Sequence, residues 1–168
     1  MTADPLLTAV GVDPARVVAA LRARGETVAT AESLTAGLVA AVLTCVPGSS
    51  AVVRGGLVVY ATELKHSLAG VDADLLAEHG AVHPLVAARL ADGARTRCGA
   101  TWGVGLTGVA GPAPQDGVAP GTVHVGVSRT GASEVRTITA PGDRHAVRSA
   151  AVAAALSLLS ALLDDERG

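Results

Sequence analysis

Along the chain, runs with helical spacing of apolar residues alternate with short apolar stretches bounded by glycine and proline. Val17, Val18 and Leu21 recur on one face between arginines, and this predicts a helix opened by Asp13 or Pro14, running to about Arg24 and closed by Gly25. Thr27 to Ala31 reads as a short strand. Ser33 or Thr35 is placed to cap a second helix through Leu38, Val39, Val42 and Leu43, ending before Pro47 and Gly48. Gly55 and Gly56 precede a strand from Leu57 to Tyr60, followed by short helices around Glu63–Leu68 and Asp72–Glu78. Pro84 stands at the first position of a long helix to about Cys98. Thr101 to Leu106 is a buried strand, and Thr107 to Pro120 a Gly/Pro-rich loop. Val123–Ser128 and Val135–Thr139 form a hairpin turning near Thr130 and Gly131, and Asp143 caps a terminal helix to about Leu163. Strands interleaved with helices in one unit predict a single-domain, three-layer α/β/α sandwich with a mixed sheet, spanning residues 1–168.

Composition sharpens this picture. Hydrophobic residues make up 49% of the 168, enough for a core and against disorder, yet there is no Phe, one Trp and one Tyr. The core must be built from Ala, Val and Leu, with helices lying close. A formal net charge of −2 offers no electrostatic attraction for nucleic acid or an anionic membrane. Cys45 and Cys98 are far apart and form no CxxC pair, which argues for a reducing compartment and against a zinc ribbon. The first residues show no signal peptide, and the apolar run from about Ala150 to Leu163 is shorter than the ~20 residues a membrane crossing needs. A cytoplasmic protein is expected. The Ala/Leu-rich terminal helix offers a face to a second subunit, so a homodimer is the expected assembly.

Three patterns imitate known chemistry and fail on context. Gly103–Gly108 matches GxGxxG, but its glycines begin inside a strand and Gly111 and Pro112 follow where a phosphate-binding helix would have to start. His79 and His83 have zinc-protease spacing, but Gly80 and Pro84 break the helix that spacing requires, and no metal site is expected. Ser33, Tyr60 and Lys65 suggest a short-chain dehydrogenase, whose Tyr and Lys lie four apart on one helix; five apart, they would face different ways.

What remains is a set of polar residues at strand ends. Ser33 lies where a strand meets a helix, and the backbone N–H groups of Thr35, Ala36 and Gly37 are candidate oxyanion donors beside it. Ser33 is thus either a nucleophile or simply a helix cap. Lys65, the single lysine, could act as a base if burial lowered its pKa, with Tyr60 relaying the proton or holding the lysine; alternatively each is an ordinary surface or core residue. Asp143 and Arg144, with Arg148 one turn on, form either a phosphate-binding helix start or a capped helix with solvated arginines.

In order along the chain occur Thr30–Gly37 (TAESLTAG), Pro47–Ser50 (PGSS), Arg54–Gly56 (RGG), Val59 and Tyr60 with Lys65, His79–Val82 (HGAV), Thr107–Pro112 (TGVAGP), Gly121–Val123 (GTV) and Gly142–Arg144 (GDR). Together they resemble the CinA C-terminal domain family, the nicotinamide-nucleotide amidases, over roughly Val17 to Leu163. The resemblance implies a standalone form of that domain and hydrolysis of the carboxamide of nicotinamide mononucleotide to nicotinate mononucleotide and ammonia, a pyridine-nucleotide salvage step that needs no cofactor. It implies Ser33 as nucleophile, activated by Lys65 and Tyr60, Thr107 and Gly108 lining the pocket, and Arg144 on the substrate phosphate. The chain departs from the usual Ser-Cys-Thr-Gly-Gly at Leu34 and Ala36, and from Tyr-Ser-Asn at Ala61 and Thr62. His83 replaces a common serine, and Val118, Ala119 and Pro120 replace Lys-Pro-Val. These departures leave a second reading open, a non-catalytic nucleotide-binding or regulatory module of the same family.

Overall fold

Small residues decide how the layers meet. In the computed structural model, which describes residues 12–165, the strands are β1 (Val28–Glu32), β2 (Val53–Val58), β3 (Trp102–Gly108), β4 (Thr122–Arg129) and β5 (Ala132–Thr139). They form one sheet in the order β2-β1-β3-β4-β5. β1 is parallel to β2 and β3, while β4 and β5 are antiparallel additions beyond β3, so the sheet is mixed as expected. Helices α1 (Pro14–Arg24), α2 (Leu38–Thr44) and α6 (Arg144–Asp165) cover one face. The other face is covered by α5 (Pro84–Cys98), with α3 (Thr62–Ser67) and α4 (Ala73–His79) at its edge.

The alternation of side chains along the strands makes the faces unequal. Val28, Val104, Leu106, Val123, Val125 and Val127 face the α1/α2/α6 layer as one branched, fully buried surface. Their neighbours Ala29, Ala31, Gly103 and Gly105 face α5, and Gly126 pairs across from Gly105. A side chain on Gly103, Gly105 or Gly126 would collide with the α5 backbone at Ala87 or Ala91. Gly103 and Gly105 of the GxGxxG run therefore seat a helix, and this is how small residues let α5 lie close on the sheet. Gly105→Ala is expected to destabilise the protein by about 3 kcal/mol or more through overpacking against backbone that cannot yield. Chemical denaturation would check it; a loss under 1 kcal/mol would contradict this packing.

The sequence elements recur with shifted ends. α1 has the expected caps: Asp13 accepts from the Ala15 N–H at 2.9 Å, and Gly25 adopts φ 65°. α5 spans Pro84 to Cys98, and the β4–β5 hairpin turns at Thr130 and Gly131. β2 differs: it contains Gly55 and Gly56 and ends before Tyr60, because its pairing with β1 begins at Val53. β3 extends to Gly108, held by its antiparallel pairing with β4. α2 starts only at Leu38, capped by Gly37 in the left-handed region, so neither Ser33 nor Thr35 is its cap. α6 runs 22 residues and is long and apolar enough to cross a membrane. Its Val147, Ala151, Leu156, Leu159 and Leu163 are nevertheless buried against the sheet, which makes it a core helix.

Candidate active site

The parallel strands β1, β2 and β3 all end on one side of the sheet, where the chain leaves β1 for β2 on one flank and leaves the adjacent β3 for β4 on the other. A crevice at such a point is where open α/β sheets bind ligands. Here it is a cavity of about 420 Å³ lined by Ser33, Tyr60, Thr107, Gly108 and Arg144 among others, so five residues singled out in the sequence converge. Strand alternation continues to the end of β1: Glu32 turns to the α2 side, and Ser33, next in the chain, reaches the cavity.

Lys65 lies beneath the cavity, 1% exposed, on α3. Its Nζ donates to Ser33 Oγ at 3.1 Å, to the Val59 carbonyl at 2.8 Å and to the Tyr60 carbonyl at 3.2 Å. The cage contains neutral oxygens and no carboxylate. Burial therefore lowers the Lys65 pKa from 10.5 to about 8, opposed only in part by Glu63 on the same helix. In the neutral amine, two N–H groups satisfy the carbonyls and the lone pair faces Ser33 Oγ, whose proton it can accept.

Tyr60 touches Lys65 only through its main-chain carbonyl. The residue is 57% exposed, and its hydroxyl accepts from Arg144 Nη2 at 2.8 Å while Arg144 Nη1 donates to the Gly111 carbonyl at 3.1 Å. Tyr60 and Arg144 thus form a polar rim above the Ser33–Lys65 floor. Thr107 is buried and donates its hydroxyl to the Ala81 carbonyl at 2.6 Å, a bond that ties β3 to the cavity wall. His79 and His83 stack with ring centroids 4.2 Å apart, His79 ending α4 and His83 preceding α5.

The loop after Ser33 differs from the sequence expectation. Thr35, Ala36 and Gly37 are not among the cavity-lining residues, and two of their three N–H groups are bonded internally. The Ala36 N–H donates to the Ser33 carbonyl at 3.0 Å, and the Gly37 N–H to Glu32 Oε2 at 3.0 Å. Glu32, fully buried, also accepts from the Val39 and Ala40 N–H groups at 3.1 and 3.0 Å. A carboxylate from the preceding strand therefore occupies the positive end of α2. Sequence reasoning missed Glu32; its one signal was an acidic residue closing an otherwise apolar, buried strand. Ala36 sits at φ 49°, a conformation that suits the glycine usual there, and its methyl is exposed to solvent away from the cavity.

A family model described as the CinA C-terminal domain matches residues 13–163. A CinA-like protein of Frankia casuarinae is 49% identical over 147 residues, covering 88% of this chain and 34% of that protein. A CinA-like protein of an Anaeromyxobacter species is 51% identical over 147 residues, covering 87% and 36%. The chain thus spans about a third of the length of these curated relatives. Among solved structures, a CinA superfamily protein of Klebsiella pneumoniae superposes with TM-score 0.89 at 32% identity, covering 96% of this chain and 99% of that one. A competence/damage inducible protein of Agrobacterium tumefaciens gives 0.87 at 34%, with the same coverages.

Proposed function

The chain belongs to the CinA C-terminal domain family, and on that premise we propose that it is a serine amidohydrolase acting on the carboxamide of nicotinamide mononucleotide. The observation that supports this most is the buried Lys65 Nζ, held 3.1 Å from Ser33 Oγ with a pKa lowered to about 8. Such a lysine needs no partner histidine and no metal to accept a proton near neutrality.

The reaction runs as two displacements. Ser33 Oγ adds to the carboxamide carbon as its proton passes to neutral Lys65. Collapse of the tetrahedral adduct breaks the C–N bond, and Lys65 returns the proton to the departing nitrogen, which leaves as ammonia. The Ser33 ester is then attacked by water, whose proton Lys65 accepts and passes back to Ser33 Oγ as nicotinate mononucleotide leaves. In this reading Arg144, held at the rim by Tyr60 and Gly111, takes the phosphate, and its place in the lining of the same cavity as Ser33 supports that role.

Ammonia release from nicotinamide mononucleotide tests this reading, with nicotinamide riboside as the phosphate-free comparator. Because the base must be neutral, kcat is expected to rise with pH, by about 50-fold from pH 6 to pH 8, and to level off above the Lys65 pKa. The riboside is expected to show a higher KM. A saturable, nucleotide-dependent rise in Tm without any turnover would instead favour the binding module.

A further inference from the structure

The hydrogen-bond ladder of the sheet comes apart on both sides of Ser33. β1 and β3 are parallel, and their register, continued past Glu32 and Leu106, sets Ser33 opposite Thr107. In a parallel ladder such a residue donates to the carbonyl before its partner and accepts from the N–H after it. Ser33 makes the first of these bonds, its N–H donating to the Leu106 carbonyl at 3.1 Å. The second would run from the Gly108 N–H to the Ser33 carbonyl, and it is not made. That carbonyl instead accepts from the Ala36 N–H at 3.0 Å, where the chain turns off the sheet. On the other flank the Val59 N–H still donates to the Glu32 carbonyl at 2.9 Å, but the Val59 carbonyl, next in that ladder, holds Lys65 Nζ.

The Gly108 N–H is thus left with a fixed direction and no acceptor among the described residues. Peptide groups alternate in direction along a strand. The Val109 N–H points to β4, donating to the Thr122 carbonyl at 2.9 Å, so the N–H of Gly108 points the other way, to the end of β1 at Ser33. Gly108 and Ser33 line the same cavity, and this N–H borders the space in which a carbonyl group attached to Ser33 would stand. β4 keeps it there. A Cβ on Gly108 would lie 2.6 Å from the Thr122 carbonyl oxygen and 3.0 Å from Val123 Cα, so β3 approaches β4 this closely only with glycine. Lys65 reaches Ser33 from the β2 side and the Gly108 N–H from the β3 side, so base and donor flank the nucleophile.

We infer that the Gly108 N–H is the oxyanion donor of this site, set free by the unmade rung to Ser33 and aimed at the oxygen that becomes negative when Ser33 Oγ adds to the carbonyl carbon. In that addition the C=O π pair moves onto oxygen, and the Gly108 N–H bonds to it until the pair re-forms the carbonyl and ammonia leaves. Hydrolysis of the Ser33 ester repeats the same charge and uses the same donor. This rests on the serine-hydrolase reading above, and it takes the place of the Thr35, Ala36 and Gly37 N–H groups, whose residues do not line the cavity.

Two measurements test it. An alkyl fluorophosphonate, followed by intact mass, converts Ser33 to a tetrahedral phosphonyl ester whose P=O oxygen stands in for the oxyanion and needs no nucleotide site. In isotope-labelled wild type, the Gly108 amide proton is expected to move downfield on this modification by more than that of any other glycine, and to exchange with solvent more slowly. The second measurement replaces the Gly108 amide by an ester, with glycolic acid at position 108 of a synthetic segment 98–168 ligated through Cys98 to residues 1–97. The ester removes the N–H and adds no side chain, and the all-amide chain assembled the same way is the reference. On nicotinamide mononucleotide, kcat is expected to fall at least tenfold with KM within about threefold, and phosphonylation to slow in parallel. The pH at which kcat levels off is expected to stay at about 8, because the Ser33–Lys65 pair is untouched. A folded ester chain with reference kcat and labelling overturns the assignment, as do a loss confined to KM and a Gly108 amide unmoved by the adduct. Should the ester chain fail to fold, the amide shift decides alone. If the wild type is phosphonylated at Ser33 but does not turn over the nucleotide, the substrate reading falls while the amide shift and slower labelling of the ester chain still uphold Gly108. A wild type that does neither overturns both.

Discussion

Lys65→Met is expected to reduce turnover by ~10²–10⁴-fold while changing the stability of the protein in a pH-dependent way. The two effects share one cause. Lys65 is almost fully buried among neutral oxygens, and its pKa is lowered from 10.5 to about 8. Below about pH 8 both folded and unfolded chains carry the charge, so the folded state bears the whole cost of burying it, roughly 3 kcal/mol. Between about 8 and 10.5 the unfolded chain keeps the proton and the folded chain has lost it, so stability rises with pH across that window. Methionine carries no charge and abolishes this dependence. The stability difference, wild type minus variant, is therefore expected to grow by roughly 3 kcal/mol between pH 7 and pH 10.5, as read by denaturant titrations at each pH. Parallel curves for the two proteins would show that Lys65 is not desolvated and could not be the base.

Ser33→Ala carries the larger catalytic effect. Loss of the nucleophile is expected to reduce ammonia release by at least ~10³-fold, leaving only what binding and backbone donors contribute. The fold should tolerate the change. Lys65 keeps its bonds to the Val59 and Tyr60 carbonyls, and the lost contact with Oγ amounts to about 1 kcal/mol. Because the rim groups Tyr60 and Arg144 are untouched, nicotinamide mononucleotide should still raise the Tm of the variant. Retention of a tenth or more of the wild-type rate would remove Ser33 from the nucleophile's role. Loss of both turnover and the thermal shift would place Ser33 in binding instead.

The chain carries its local structure openly. Asp13 with Pro14 and Gly25 bracket α1, Pro84 opens α5, and alternating residues around Thr130 and Gly131 draw the hairpin, because caps, proline and strand alternation act within a few residues. The absence of Phe announced a core of small side chains, and the ordered motifs from Thr30 to Arg144 pointed to the CinA C-terminal domain family. The bond between Ser33 and Lys65 was not legible in the same way. These residues are 32 apart, and they meet because β1 lies beside β2 in parallel and the chain turns back into α3 at the same end. Tyr60 looked like a partner for Lys65 by proximity in sequence, yet the path from β2 into α3 turns its ring outward to Arg144 and leaves only its carbonyl behind. Gly103 and Gly105 resembled a nucleotide loop until strand order put them under α5. Glu32 gave little sign, and Arg148 read as a phosphate-site or solvated arginine beside Arg144, whereas each in fact bonds backbone groups between Leu34 and Ala40 that become its neighbours only when α2 and α6 dock on the sheet. Periodicity and capping are short-range and survive in any window of the chain; the pairing of strand ends, and the charges buried there, are set by register and layer packing across the whole of it.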